Sequence, residues 1–164
     1  MNTVRLEGIK ALLFDFEGTL VDSQWNRLKA VEEALKELAD LGLPAGRLRS
    51  RKPGVLLREA MGIARESGIP PEAVRERIEG IYDRYDEDAL TRWSLRPNLM
   101  ELLDDLNKAG IRTGIVSNAG RTILIRALEK FHIRSLFDVI VSRDDVRDLK
   151  PSGEGIERGL QSLR

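Results

Sequence analysis

The chain contains no cysteine and a single histidine in 164 residues. Without cysteine there is no disulfide, no thiolate nucleophile and no Cys-ligated zinc, and the redox compartment is left open. One histidine, His132, cannot build a His-rich metal site. Set between Phe131 and Ile133 near a predicted helix end, it reads as structural rather than catalytic. Net charge is missing too, because 27 Lys plus Arg balance 27 Asp plus Glu. No global field then favours nucleic acid or an acidic membrane, and any polyanion site must be local. No apolar run approaches the roughly 18 residues of a spanning helix, and the first residues lack the apolar segment of a signal peptide. The expectation is a cytoplasmic protein with no membrane and no nucleic-acid partner, built as one ordinary domain or a small core with an insertion.

What is present is concentrated in Ile9 to Asp22, IKALLFDFEGTLVD. Ile9, Ala11, Leu12, Leu13 and Phe14 make an apolar run with no turn residue inside it, which predicts a strand buried on both faces. Asp15 falls at its C-terminal tip. Gly18 allows a backbone conformation closed to other residues, so Asp15 and Glu17 are presented at a sheet rim, where open α/β sheets bind ligands.

A long helical tract follows. Leu28, Val31, Leu35 and Leu38 recur at helical spacing until Gly42 and Pro44. Val55, Leu56, Ala60, Ile63 and Ala64 predict a second helix stopped at Gly68. Pro71 opens a third, with Val74, Ile78, Ile81 and Tyr85 as its stripe. These stripes read as ordinary core. After Pro97, Leu99, Leu102, Leu103 and Leu106 make an amphipathic helix ended by Gly110, and Ile111 to Val116 reads as a strand leading into Ser117 and Asn118. A helix from Arg121 to Phe131, a strand from Val139 to Val141 and a polar loop precede Lys150 and Pro151. A last helix, Glu154 to Leu163, carries Ile156, Leu160 and Leu163 on one side. Helix, glycine stop, strand and polar tip is the rhythm of a βαβ sheet. Asp144 and Asp145 read as loop or capping residues.

The sequence Asp15-Phe16-Glu17-Gly18-Thr19 resembles motif I of the haloacid dehalogenase-like (HAD) superfamily, Asp-x-Asp-Gly-Thr, with Glu17 in place of the second Asp. Ser117 would be motif II and Lys150 motif III, and the resemblance, to the phosphoglycolate phosphatase-like members with an inserted cap, covers almost the whole chain. It implies an α/β fold: a Rossmann-like parallel-sheet core of residues 1–22 and 96–164, incomplete at its C-terminus, and an α-helical cap of residues 23–95. It also implies Mg²⁺-dependent hydrolysis of a small phosphomonoester. By resemblance Asp15 is the nucleophile that forms an aspartyl-phosphate, Glu17 the general acid and base, and Lys150 a point charge. Thr19, Ser117 and Asn118 would bind the phosphoryl group. Mg²⁺ would lie between Asp15, the backbone carbonyl of Glu17 and an acid of motif IV.

No counterpart of motif IV follows Lys150, which stands 14 residues from the last residue of the sequence. The alternative expectation is therefore a weak or inactive HAD-like protein, or a fragment, with a binding or assembly role. Loss of that motif's strand would leave Ile9 to Phe14 as an exposed apolar edge, through which a homodimer is expected. Between Arg47 and Arg58 lie five basic residues and no acid. The run reads as solvated surface or, alternatively, as Arg49, Arg51 and Lys52 facing the site and attracting a small phosphorylated metabolite.

Overall fold

The computed structural model describes residues 7–164. In chain order its elements are β1 (Ala11–Phe14), β2 (Val21–Asp22), α1 (Arg27–Asp40), α2 (Pro53–Glu66), α3 (Pro71–Leu90), β3 (Ser94–Leu95), α4 (Leu99–Lys108), β4 (Arg112–Val116), α5 (Arg121–Lys130), β5 (Val139–Val141) and α6 (Glu154–Ser162). The periodicity arguments find every α-helix among the described residues and the three strands of the main sheet. They miss β2 and β3, which are two residues each and too short to show a period.

The main sheet is parallel, in the order β1-β4-β5. Ala11 stands opposite Arg112 and Phe14 opposite Ile115, while Gly114 stands opposite Val139 and Val116 opposite Val141. β4 is central and buried from Thr113 to Val116. All four residues of β1 are only half-buried, against the expectation of burial on both faces. β1 has β4 on one side and, among the described residues, no strand on the other. Apolar composition records what a strand can tolerate, and its neighbours decide what it receives.

The last helix departs from its predicted stripe. Ile156 and Leu160 are 47% and 46% exposed, only Leu163 of the expected stripe is buried, and α6 meets the sheet through Gly155 and Gly159 instead. A Cβ on Gly155 would come within 2.8 Å of Val116 Cγ1, and one on Gly159 within 3.0 Å of both Leu13 methyls. Stripe counting weighs side chains, so it overlooks a contact made because side chains are absent.

Two hydrophobic clusters result. One gathers Phe16, Ile115, Leu124, Leu128 and Phe137 around the sheet. The other gathers Val31, Leu38, Leu56, Ile63, Val74 and Ile78 of α1 to α3. α3, 20 residues and about 30 Å long, serves both: Val74 to Tyr82 join the helical cluster, and Ala89 and Leu90 join the sheet cluster. β2 and β3 pair antiparallel, Val21 opposite Leu95 and Asp22 opposite Ser94, so the two connections to α1–α3 cross side by side. Arg96 then reaches back, its Nη2 donating to the Gly18 carbonyl at 3.0 Å. Among the described residues no helix is long and apolar enough to cross a membrane.

Candidate active site

The chain leaves β1 through a tight turn. The Leu20 and Val21 N–H groups donate to the Phe16 carbonyl at 2.9 and 3.2 Å, and Gly18 takes φ +76°, which a side chain would strain. Phe16 is fully buried against Trp93, ring centroids 6.0 Å apart. With Phe16 anchored inside, Asp15 and Glu17 on either side of it line the cavity above the sheet. Asp15 is exposed. Its Oδ1 accepts from the Phe16 N–H at 2.8 Å and pairs with Lys150 Nζ, whereas Oδ2 accepts no hydrogen bond among the described residues.

Lys150 is held from four directions. Nζ donates to Asp15 and, at 3.0 Å, to the Val116 carbonyl, so the ammonium lies between the tips of two parallel strands. Asn118 Oδ1 accepts the Lys150 N–H at 3.0 Å and Asn118 Nδ2 donates to the Lys150 carbonyl at 3.2 Å. α2 closes down on this clamp: a Cβ on Gly54 would stand 2.9 Å from Asn118 Nδ2 and 3.0 Å from the Lys150 carbonyl. Only glycine lets the helix approach so closely.

These contacts bring Asp15, Glu17, Asn118, Lys150 and Lys52 to one cavity of about 630 Å³, roofed by Trp25 and Tyr82. Asn118 faces it with both amide atoms already engaged by the Lys150 backbone. Ser117 is buried outside its lining, and its Oγ accepts the Ala119 N–H at 3.0 Å. Thr19, Arg49 and Arg51 are exposed and outside the lining as well. Arg51 Nη1 donates instead to the Leu48 and Ser50 carbonyls, at 3.2 and 3.1 Å.

Sequence reasoning misses the charges that α3 adds. Glu79, Asp83 and Asp86 recur at helical spacing, and the core's Arg143 meets them, only 2% exposed. Its Nη2 pairs with Asp83, and its Nε lies 3.6 Å from Glu79 Oε1 and 3.8 Å from Asp144 Oδ1. Asp86 is 4% exposed, and its Oδ1 and the Arg143 Nε have no hydrogen-bond partner among the described residues. Burial, and then the charge of Glu17, pushes Asp86 up to about 8. Burial, and then the charge of Asp15, pushes Glu17 up to about 7, with Lys150 and Arg143 opposing. Two carboxyls lining one cavity are thus inclined to hold a proton near neutral pH. The spacing of the three acids was visible in the sequence. Their partner, 57 to 64 residues further on, was not.

The two acids after Ser142 act as caps, as expected. Asp144 Oδ2 accepts the N–H of Arg121, the first residue of α5, at 2.7 Å, and Asp145 Oδ2 accepts the Ser142 N–H and hydroxyl at 2.8 and 2.6 Å. His132 is exposed just past α5 at φ +57°, its N–H donating to the Glu129 carbonyl at 3.0 Å.

The model of the haloacid dehalogenase-like hydrolase family matches residues 12–164. The chain belongs to that family. A phosphoglycolate phosphatase from Salmonella choleraesuis is 30% identical over 169 residues, covering 92% of this chain and 67% of the relative. Another, from Photorhabdus laumondii, is 32% identical over 153 residues, covering 89% and 63%. The chain therefore spans about two thirds of the length of these relatives. Among solved structures, a hydrolase from Pseudomonas syringae is 26% identical with a TM-score of 0.60, covering 94% of this chain and 70% of that one. The α/β fold and the HAD-like membership expected from Asp15 to Thr19 hold.

Proposed function

We propose that this HAD-like protein hydrolyses a small phosphomonoester with Asp15 as nucleophile. The observation that carries this reading is the asymmetry of the Asp15 carboxylate at the cavity wall: Oδ1 is fixed by the Phe16 N–H and Lys150, and Oδ2 accepts no hydrogen bond among the described residues. Oδ2 attacks phosphorus in line while the Lys150 ammonium offsets charge on the equatorial oxygens. Glu17, inclined to be protonated, donates to the departing alkoxide. Having lost its proton, it takes one from the water that cleaves the aspartyl-phosphate, so one carboxyl serves both halves of a two-step displacement.

The donor set suits Mg²⁺. Among the described residues no group of three acidic, His or Cys side chains is placed to hold a metal ion, but Mg²⁺ is usually held by one or two carboxylates and keeps waters and phosphate oxygens as its other ligands. Asp15 and the Glu17 backbone carbonyl would hold it, and it would supply positive charge to the phosphoryl oxygens. The same reading takes residues 23–95 as a cap over a core of residues 1–22 and 96–164, and the cytoplasm as the compartment. The substrate is a compact ester with a second anionic group, because Arg27 and Lys52 line the cavity beside Trp25 and Tyr82. The names of the relatives agree with such a substrate. Ser117, Asn118 and Thr19 contribute to phosphoryl binding once substrate is seated, and Arg49 and Arg51 add to the field that attracts it.

Turnover of a generic phosphomonoester, with and without Mg²⁺, tests the proposal. Mg²⁺-dependent release of phosphate by the parent and none by Asp15→Asn is the expected result. Equal release by both would refute it. A second reading rests on the side of β1 that no strand pairs among the described residues, where its half-buried apolar residues suit a strand from a second copy. A homodimer formed there would sediment as a dimer at micromolar concentration. A monomer throughout that range would remove it.

A further inference from the structure

Arg58, the last residue of the basic run, faces away from the cavity over Asp15. It lines a separate recess at the seam between α2, α3 and the loop before Lys150, together with Arg65, Arg75 and Arg147. We propose that this recess binds a small, multiply charged oxyanion: a phosphate group, free or carried on an organic body.

Charge and geometry both point that way. Four guanidiniums share the recess with one carboxylate, Asp148, which leaves a net charge of +3. Arg58 and Arg65 lie seven residues apart on α2, two turns along one face, with Met61 between them. Arg75 is fixed, its Nη1 donating to Glu79 at 3.1 Å and its Nη2 donating to the Arg147 carbonyl. The loop is fixed as well, since Glu154 Oε2 accepts the Arg147 and Asp148 N–H groups at 3.0 and 2.9 Å. Among the described residues, however, the side chains of Arg58, Arg65 and Arg147 form no ion pair and no hydrogen bond. By contrast Arg47, ahead of α2, and Arg77 and Arg84 of α3 each meet a glutamate. A rigid frame that gathers unpaired guanidiniums matches phosphate, whose oxygens accept paired N–H donors from a planar fork.

The recess itself holds about 20 Å³, room for one oxygen-sized group above Leu57 and Leu149. One phosphate oxygen enters it, and the rest of the anion sits at the mouth, where the three exposed arginines reach it. Any organic body projects into solvent. Gly54 and Leu149 wall both this recess and the cavity over Asp15, so an occupant braces α2 against the loop that carries Lys150. Binding here does not depend on the hydrolase chemistry.

The test uses the full chain labelled with ¹⁵N, following the arginine Nε–H signals and the Asn118 side-chain signal during titration with inorganic phosphate or with adenosine monophosphate. Saturable shifts of Arg58, Arg65 and Arg147 are expected with at least one of the two. The double variant Arg58→Gln/Arg65→Gln should raise the apparent Kd about tenfold or more, with the melting temperature and the Asn118 response unchanged. Tighter binding of adenosine monophosphate assigns the site to organic phosphates, and equal binding assigns it to the bare group. Linear, unsaturable shifts with both probes, an unchanged Kd in the double variant, or a response to duplex RNA alone would overturn the proposal.

Discussion

The sheet and the helices α1–α3 hold charge over the same cavity by different means. On the sheet side Asp15 and Lys150 are fixed through backbone: a Phe16 N–H, the Val116 carbonyl and an Asn118 amide clasping the Lys150 peptide groups. On the helical side Asp86 comes from a helix face, buried with one oxygen unpartnered and within reach of the charge of the buried Arg143, which pairs with Asp83. Backbone contacts follow from the strand register and cost little once the sheet exists. Buried side-chain charges carry a desolvation penalty that their partners must offset. The difference suggests a division in which the sheet fixes the reacting groups and the helices tune their surroundings.

The sharpest way to break that comparison is at the sheet side. Asp15→Asn keeps the shape and removes the nucleophile, and phosphate release should fall by about 10⁴-fold or more, as for other nucleophile deletions. Steady-state release with Mg²⁺ present measures it, and a retained rate would remove the sheet from the chemistry. Glu17→Gln should lower the rate by about 10² to 10⁴, the usual effect of losing a general acid, while Glu17→Asp should match or exceed the parent. Equal rates for all three would take Glu17 out of the mechanism.

On the helical side the first loss is in stability. Arg143→Met leaves Asp83 and Asp86 without their cation and Glu79 with Arg75 alone, and should cost about 3 kcal/mol or more, read by urea unfolding. An unchanged midpoint would mean that the cluster is solvated. A pH series sharpens the same point. Asp86 and Glu17 have folded values of about 8 and about 7, above the unfolded values near 4, so the folded state binds more protons between these limits. Their contribution to stability is full below the unfolded values and is lost as pH rises through 7 to 8. Asp145 and Glu154 are shifted downward, and their effect belongs to acid pH. The melting temperature, taken with a metal chelator present, should therefore fall from about pH 5 to about pH 8, the part of that window above the acid range, and level off beyond it, and Asp86→Asn should flatten that slope. A slope steeper in the variant would contradict the assignment.

The smallest effect concerns the surface. Neutralising Arg49, Arg51 and Lys52 together should raise KM for an acidic phosphate ester by a few-fold at low salt. The effect should shrink as the Debye length falls to about 8 Å at physiological ionic strength. A salt-independent KM would leave Lys52 as a local wall residue and the two arginines as ordinary surface.

The sequence by itself determined the order of the α-helices and of the main sheet's strands along the chain, the turn at Gly18, the placement of Asp15 at a strand tip and the family. Each of these is local: an apolar period, a positive-φ glycine or a short motif is complete within about twenty residues. Tertiary structure decided the rest. It made Asn118 the clasp of Lys150 and Gly155 and Gly159 the packing face of α6, left β1 half-buried and brought Asp86 within electrostatic reach of Glu17 and Arg143. It also sent Lys52 and Arg58, six residues apart, to different cavities. Those outcomes depend on which surfaces meet across long stretches of chain, and residue type carries no record of a neighbour that sequence spacing does not supply.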